Sequence, residues 1–333
     1  MMDLPTIWGL LISFALLAYV ALDGFDLGIG ILFPLGRNKD ERDVMMNTVA
    51  PVWDGNETWL VLGGGGLLAA FPLAYSVLLT AFYAPVIAML LALVLRGVAF
   101  EFRSRTERWR PLWDLAFIGG SFFAALFQGI MVGAFVQGVR VEEGAYAGGW
   151  FDWLTPFSLL TGMSLVTGYA LLGACWLVIK TEGDIQQRVR ALQIPLGAAV
   201  VVCIGLVSFG TVFVNEAVRE RWFALGSLVF LWVIPLLTGV IALAFYVAVR
   251  RHREILPFLL ALSLFGAAFL GLTSSLYPYL IPPDITYAEA ANAESSLAFM
   301  LVGALILLPI ILGYTAYAYW IFRGKVRAGE GYH

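Results

Sequence analysis

Two carboxylates lie in a stretch of sequence that otherwise suits the interior of a membrane. Asp23 and Asp26 belong to an apolar run from about Thr6 to Leu35, and roughly 20 apolar residues let a helix cross a bilayer. Acids at such depth are costly, and a spacing of three residues places both on one helix face, which should point at protein. One interpretation is a tightly packed helix whose acids bond to neighbouring polar groups. The pairing favours the other, a buried site that handles protons or compensates charge.

A second pair of acids, Asp54 and Glu57, follows a short charged turn. In the structural interpretation they form a capping box that opens the second apolar helix, where the helix dipole favours acids. Trp53 and Trp59 would then be anchors at the membrane interface. The functional interpretation places the two acids at a cytoplasmic mouth, and both interpretations can hold together.

Arg96 and a run of four glycines are the remaining candidates near these acids. Arg96 falls near the inner end of the third apolar run, where its side chain either snorkels to the headgroups or pairs with the acids of the first helix. The glycines weaken the second helix unless a neighbouring helix packs against their bare backbone. We expect such packing at Gly63, Gly64, Gly65 and Gly66.

The composition is that of a membrane protein. The 333-residue chain is 61 % hydrophobic and 13 % charged, with a mean hydropathy of +0.86, which is typical of a polytopic fold. No polar stretch is long enough for a separate soluble domain, and a net charge of −3 gives nucleic-acid binding no electrostatic support. Residues 1–5 lack the Lys and Arg of a signal peptide, so the first helix is expected to be retained.

The residues that usually bind metals are sparse. Cys175 and Cys203 both lie in apolar runs, which argues against a disulfide framework or a zinc cluster. Of the two histidines, His252 lies in a short basic loop and His333 is the last residue. A histidine-ligated haem or copper centre within the bilayer is therefore not expected. We expect this chain to bind no haem or metal through its own ligands.

The apolar runs predict nine transmembrane helices. They cover residues 6–35, 57–76, 78–102, 112–138, 155–179, 191–215, 222–249, 255–279 and 297–322. Pro72 is expected to mark the turn between the second and third spans. With the N-terminus outside, 17 of the 20 Lys and Arg residues fall on the cytoplasmic side, and the exceptions are Arg140, Arg219 and Arg221. The positive-inside rule therefore predicts an external N-terminus and a cytoplasmic C-terminus.

These spans are expected to form one integral membrane domain over residues 1–333. Four spans restore the starting orientation, so residues 6–138 and 155–279 are interpreted as tandem halves of four helices each. The last helix, 297–322, falls outside both halves.

The predicted orientation brings the candidate charges to one depth. Span one runs inward, which places Asp23 about 26 Å from its start, with Asp26 deeper still. Asp54 and Glu57 open span two from the cytoplasmic side, and Arg96 lies near the inner end of span three. If the three helices adjoin, all five residues lie in the inner third of the membrane. A row of carboxylates beside one arginine suits proton uptake from the cytoplasm.

Several motifs together carry a family resemblance. They are DGFDLGIG (23–30), APVWDGNETW (50–59), RGVAFEFRS (96–104), YPYLIPP (277–283) and LPIILGYTAYAYW (308–320). In this order they resemble subunit II of the cytochrome bd-type quinol oxidases over nearly the whole chain. The external loop between spans six and seven is short, as in the cyanide-insensitive branch of that family.

The resemblance implies a heterodimer in the bacterial cytoplasmic membrane. The partner, subunit I, would carry b-type haems with haem d or haem b at the oxygen site, while subunit II carries none. The complex would oxidise quinol, reduce dioxygen to water and draw protons from the cytoplasm. Subunit II is implied to form two four-helix bundles plus one peripheral helix. A bound quinone, lipids and a small single-helix accessory subunit are compatible with the family.

The resemblance also implies site residues. The family's acids and arginine match Asp26, Asp54 and Arg96, which are taken as lining a proton or oxygen route at the subunit interface. A proton-coupled secondary transporter is the alternative from another class, because it too would have buried acids and broken helices. The transporter predicts activity from this chain alone, whereas the oxidase subunit predicts none without its haem-bearing partner.

Overall fold

The chain folds almost wholly into helices. The computed structural model describes residues 3–224, 232–327 and 329. Within these residues, eight helices are long and apolar enough to cross a membrane. The prediction of an all-α polytopic membrane protein is therefore confirmed. The predicted seventh span, 222–249, lies partly outside the described residues.

The elements occur in the following order. The first seven helices are α1 Leu4–Leu32, α2 Lys39–Asn47, α3 Trp53–Ala70, α4 Pro72–Ala81, α5 Tyr83–Arg105, α6 Arg110–Gln137 and α7 Pro156–Lys180. The described residues beyond them form α8 Gly183–Val214, α9 Glu216–Phe223, α10 Val233–Arg250, α11 Ile255–Leu276, α12 Tyr287–Ala290 and α13 Glu294–Ile321. A 3-10 turn, Phe33–Leu35, follows α1. Two antiparallel hairpins join β1 Val141–Glu142 to β2 Ala145–Tyr146, and β3 Tyr279–Ile281 to β4 Ile285–Thr286.

The region around Pro72 differs from the prediction. The helical backbone is interrupted at Phe71 and again at Phe82. A separate ten-residue helix, α4, therefore occupies the region where a single turn was expected. Pro72 begins α4, where a missing backbone N–H does no harm. The preceding helix, α3, is not among the eight helices that are long and apolar enough to cross a membrane, because its first turns carry Asp54, Asn56 and Glu57.

Helix α1 lies at the centre of the fold. It contacts α3, α6 and α7 along its length, and it also touches α11 and α13. Its N-terminus is capped by the carboxylate of Asp3, which accepts a hydrogen bond from the N–H of Thr6. Every residue from Asp23 to Gly30 is buried, so this two-turn segment of α1 has no face left for lipid.

The crossing of α1 and α7 depends on two glycines. A Cβ atom on Gly28 would lie 1.9 Å from the backbone oxygen of Tyr169, and one on Gly173 would lie 2.4 Å from the carbonyl carbon of Gly28. No side chain fits at such distances, so the two backbones touch. This contact fixes the depth and rotation of α1, and with them the position of its acids.

Candidate functional site

Three charged side chains meet in the interior, and we call them the buried charge cluster: Asp23, Asp26 and Arg96. The Nη1 atom of Arg96 lies 2.7 Å from Oδ1 of Asp23, and its Nη2 atom lies 3.8 Å from Oδ2 of Asp26. All three side chains are 0 % exposed. Arg96 therefore pairs with the acids of α1 and does not snorkel towards the headgroups.

Close packing of α5 on α6 aims Arg96 at α1. A Cβ atom on Gly120 of α6 would lie 2.6 Å from the backbone oxygen of Ala92 and 2.9 Å from the backbone nitrogen of Arg96. The rings of Trp53 and Phe100 stack with centroids 4.8 Å apart, and Cζ of Arg96 lies 6.0 Å from each centroid. Aromatic faces thus stabilise the guanidinium beside its two acids.

Asp26 also has a neutral partner. The amide Nδ2 of Asn56 donates to Oδ2 of Asp26 at 2.8 Å and to the backbone oxygen of Leu22 at 3.3 Å. The hydroxyl of Tyr319 donates to Oδ1 of Asn56 at 2.8 Å. The two acids are therefore held differently, since Asp23 has the short ion pair and Asp26 has an amide and a longer one.

A second group of hydrogen-bonded polar side chains begins at Tyr19, one helical turn before Asp23 on α1. The amide Nε2 of Gln128 donates to the hydroxyl of Tyr19 at 2.6 Å, and the hydroxyl of Tyr169 donates to Oε1 of Gln128 at 2.9 Å. All three side chains are buried. These contacts join α1, α6 and α7.

Asp54 and Glu57 open α3, but not as a capping box, and that prediction is wrong. The N-cap is Val52, which makes no side-chain capping bond. The turns after α2 run directly into α3, and the N–H of Trp53 donates to the backbone oxygen of Val49 at 3.0 Å. This backbone bond replaces a side-chain cap. Asp54 is exposed, while Glu57 is half-buried and interacts electrostatically with Arg96.

The two tryptophans of this region point inward. Trp59 is only 1 % exposed and packs edge-on against Phe14 of α1, with ring centroids 5.7 Å apart. The interpretation of Trp59 as an interfacial anchor is wrong, because α1 covers it. Trp53 is half-buried and belongs to the aromatic wall beside Arg96.

The glycine run divides between two faces of α3. A Cβ atom on Gly63 would lie 3.1 Å from Leu16, and one on Gly66 would lie 3.2 Å from Ile12, so these two glycines pack against α1 as expected. Gly64 and Gly65 have no heavy atom within 4 Å of a built Cβ and are exposed. Helix packing within this chain therefore accounts for half of the run.

A second group of charges lies at the end of α5 that follows Arg96, and we call it the inner-surface cluster: Arg42, Asp43, Arg103 and Asp114. Asp114 lies 2.6 Å from Arg42 and 2.5 Å from Arg103, and Arg103 lies 2.5 Å from Asp43. The cluster therefore ties α2, α5 and α6 together.

A further ion pair joins α8 to α2. The Arg188 side chain of α8 lies 2.5 Å from the carboxylate of Glu41 of α2, and its hydrogen bond lowers the pKa of Glu41 below the usual 4.5.

Among the described residues, no group of three or more His, Cys, Asp or Glu side chains is arranged to hold a metal ion.

Four polar residues of this region were not predicted from the sequence as part of a site: Asn56, Tyr319, Tyr19 and Tyr169. Asn56 lies between Asp54 and Glu57 on the first turn of α3. An amide at this position could have been predicted from the sequence as a partner for the acids of α1. Tyr319 lies in a stretch of Tyr and Trp near a helix end, which is typical of an aromatic belt at the membrane interface. Only the packing of α13 against α3 shows that its hydroxyl faces inward.

Comparison with known proteins gives a consistent result. The family described as cytochrome bd terminal oxidase subunit II matches residues 4–322. Subunit 2 of the cytochrome bd-I ubiquinol oxidase of Escherichia coli K12 is 32 % identical, with 96 % of this chain and 94 % of the relative covered. Subunit 2 of the cytochrome bd ubiquinol oxidase of Bacillus subtilis is 28 % identical, with 99 % of each covered. A solved bd oxidase from Geobacillus thermodenitrificans shares the fold, with a TM-score of 0.79, 19 % identity and coverage of 96 % and 99 %.

Proposed function

The chain belongs to the cytochrome bd terminal oxidase subunit II family, and from this premise we propose how it serves the quinol oxidase of which it is a subunit. The proposal is that α1, α3 and α5 form a proton route from the cytoplasm towards the partner subunit. Quinol oxidation and dioxygen reduction take place in the complex, and this chain supports assembly and proton supply.

The charge balance of the buried charge cluster carries this proposal. Two carboxylates face one guanidinium, and all three groups are 0 % exposed. If both acids were ionised, the interior would hold one uncompensated negative charge, which is costly at low dielectric. The cluster is therefore expected to bind one proton. Asp23, at 2.7 Å from Arg96, is the counter-ion, and Asp26, at 3.8 Å, is the acid that exchanges a proton.

The remaining acids supply a path to this site. Asp54 is exposed at the start of α3, and Glu57 follows it one turn later, half-buried. Glu57 interacts electrostatically with both Arg96 and Asp26. We take the order Asp54, Glu57, Asp26 as the route of the proton, and the same residues are the candidates if oxygen also travels here.

The haems are assigned to the partner, because the described part of this chain offers no histidine at membrane depth. His252 is exposed in the loop between α10 and α11, and the described residues hold no buried histidine. A b-type haem within the membrane needs an axial ligand at depth. We therefore place b-type haems, and haem d or b, in subunit I.

We further propose nine spans in the bacterial cytoplasmic membrane, with the N-terminus outside and the C-terminus inside. The nine spans are the eight long apolar helices together with α3. The distribution of Lys and Arg supports the orientation. The helices are grouped as two four-helix bundles with α13 at the periphery. The exposed face of α3, with Asp54, Gly64 and Gly65, is assigned to contact with subunit I, since polar groups and bare backbone are poorly placed against lipid. A bound quinone or lipid, and a single-helix accessory subunit, fit the remaining apolar surface.

Purification through a tag on this chain tests the proposal. We expect haem absorbance and quinol-dependent oxygen consumption to co-purify with the tagged chain, and membranes from an untagged strain serve as the control. The chain expressed without its partner is expected to bind no haem. Proton-linked transport by the isolated chain in vesicles, with no haem-bearing partner recovered, would contradict the oxidase assignment and support a transporter.

A further inference from the structure

Tyr319 reaches inward from a helix that is otherwise peripheral. The described residues of α13 include a single buried side chain, Leu297, and Tyr314 and Tyr317 on the same helix are 69 % and 57 % exposed. Tyr319 alone among these tyrosines is half-buried and bonds to Asn56. The last helix therefore contacts the buried charge cluster through one hydroxyl group.

The directions of the hydrogen bonds are fixed by chemistry. The backbone oxygen of Leu22 can only accept, so the nitrogen side of the Asn56 amide must face α1. The amide oxygen then points at Tyr319, whose hydroxyl carries the only proton available for that bond. The Tyr319 hydroxyl thus holds the amide in the orientation that donates to Oδ2 of Asp26.

The ring of Tyr319 is located independently of its hydroxyl. It packs edge-on against Phe25 at 6.4 Å and Trp176 at 6.0 Å between ring centroids, and those two rings stack on each other at 4.3 Å. Below it, the side chain of Lys180 donates to the backbone oxygens of Phe322 and Gly324 at the end of α13. Removal of the hydroxyl alone is therefore expected to leave the helix in place.

We propose that Tyr319 and Asn56 are positioning residues for Asp26, an inference that rests on the proposed role of Asp26 in proton transfer. They hold Oδ2 of Asp26 on the amide and leave Oδ1, a buried atom without a hydrogen-bond partner, as the atom that takes up the proton. Neither residue exchanges a proton itself. The last helix, through Tyr319, thereby determines which oxygen of Asp26 is free.

Tyr319→Phe in the purified oxidase complex tests this role. We expect normal assembly and haem content, turnover reduced about 3- to 10-fold by the lost hydrogen bond, and a shifted pH profile of turnover. Tyr317→Phe is the matched control, since the Tyr317 side chain is exposed on the same helix. It should leave turnover and its pH profile unchanged. A purely structural role would lower the yield of complex without moving the pH profile.

A double variant separates this inference from the proposed function. If Tyr319 acts through Asp26, adding Tyr319→Phe to Asp26→Asn causes no further loss of turnover. Wild-type turnover and pH profile in Tyr319→Phe, with a slow Asp26→Asn, would overturn the positioning role and leave the proton route standing. Normal turnover in Asp26→Asn would overturn both.

A second variant decides the matter if Tyr319→Phe does not assemble. Asn56→Leu keeps roughly the size of the side chain and adds no titratable group, but it can neither donate to Asp26 nor accept from Tyr319. We expect slower turnover and a shifted pH profile for Asn56→Leu. A wild-type pH profile in this variant would contradict the inference.

Discussion

Helix α5 contributes one arginine to each of two ion clusters, and the two clusters differ in their balance of charge. In the inner-surface cluster, two arginines meet two aspartates, and its outer members Arg42 and Asp43 are 33 % and 35 % exposed. In the buried charge cluster, one arginine meets two aspartates with no exposure at all. The shortest ion-pair distances are similar, 2.5 Å and 2.7 Å.

We propose that this difference separates a structural cluster from one that exchanges protons. A balanced cluster at a wet surface is satisfied when every group is ionised, so it can act as a fixed link between helices. A buried cluster with an excess acid is satisfied only when a proton is bound. The distances within the ion pairs do not distinguish the two clusters. The balance of charge and the exposed fraction of each side chain do.

The largest expected effect comes from removing the only cation of the buried charge cluster. Arg96→Gln leaves two acids facing each other without exposure, at a cost on the order of 3–5 kcal/mol. We expect loss of the assembled complex, measured as haem that co-purifies with the tagged chain. Arg105→Gln, which removes an exposed arginine of the same helix, should assemble normally. Normal assembly and turnover of Arg96→Gln would show that the cluster does not depend on its ion pairs.

A smaller effect is expected when the excess acid is neutralised. Asp26→Asn keeps the volume and polarity of the side chain but removes the group that titrates. The complex should assemble with normal haem content and oxidise quinol ~10²-fold more slowly, as expected for a blocked proton transfer. Oxygen consumption per haem measures this. Failure to assemble, with partial rescue by Arg96→Gln, would instead make Asp26 a structural counter-ion.

The smallest effect is expected in the inner-surface cluster. Asp114→Asn weakens the bonds to Arg42 and Arg103 at a cost of about 1–3 kcal/mol, so the melting temperature of the complex should fall. Turnover per haem should stay at the wild-type value. Glu101→Gln, which breaks an exposed pair with Arg105, should change neither quantity. A loss of turnover in Asp114→Asn at normal haem content would erase the contrast between the clusters.

The sequence predicted the features that follow from local pattern. The spacing of Asp23 and Asp26 predicted a shared inward face, and the pairing with Arg96 was one of two predicted outcomes. The spans were predicted to within a few residues at most ends, although α8 begins at Gly183, well before the predicted 191. Hydropathy marks the apolar core of a span, and polar turns beyond that core can continue the same helix.

The features missed by the sequence analysis depend on packing between distant segments. Tyr319 and Asn56 are separated by 263 residues, and no local periodicity links a tyrosine in an aromatic stretch to an amide in another helix. The cap of α3 was mispredicted because a backbone carbonyl of the preceding turn takes the place of a side chain. The inner-surface cluster needed the meeting of α2, α5 and α6, which spacing along one helix cannot show.

The central claim is that the buried charge cluster holds one proton on Asp26 at neutral pH. Infrared difference spectra between the purified wild-type and variant complexes test it most directly. A protonated carboxyl group has a carbonyl stretch that an ionised carboxylate lacks. We predict one such band that shifts in deuterated buffer, disappears in Asp26→Asn and persists in Asp114→Asn. A spectrum of Asp26→Asn with the full set of wild-type bands would show that Asp26 is ionised and would contradict the account.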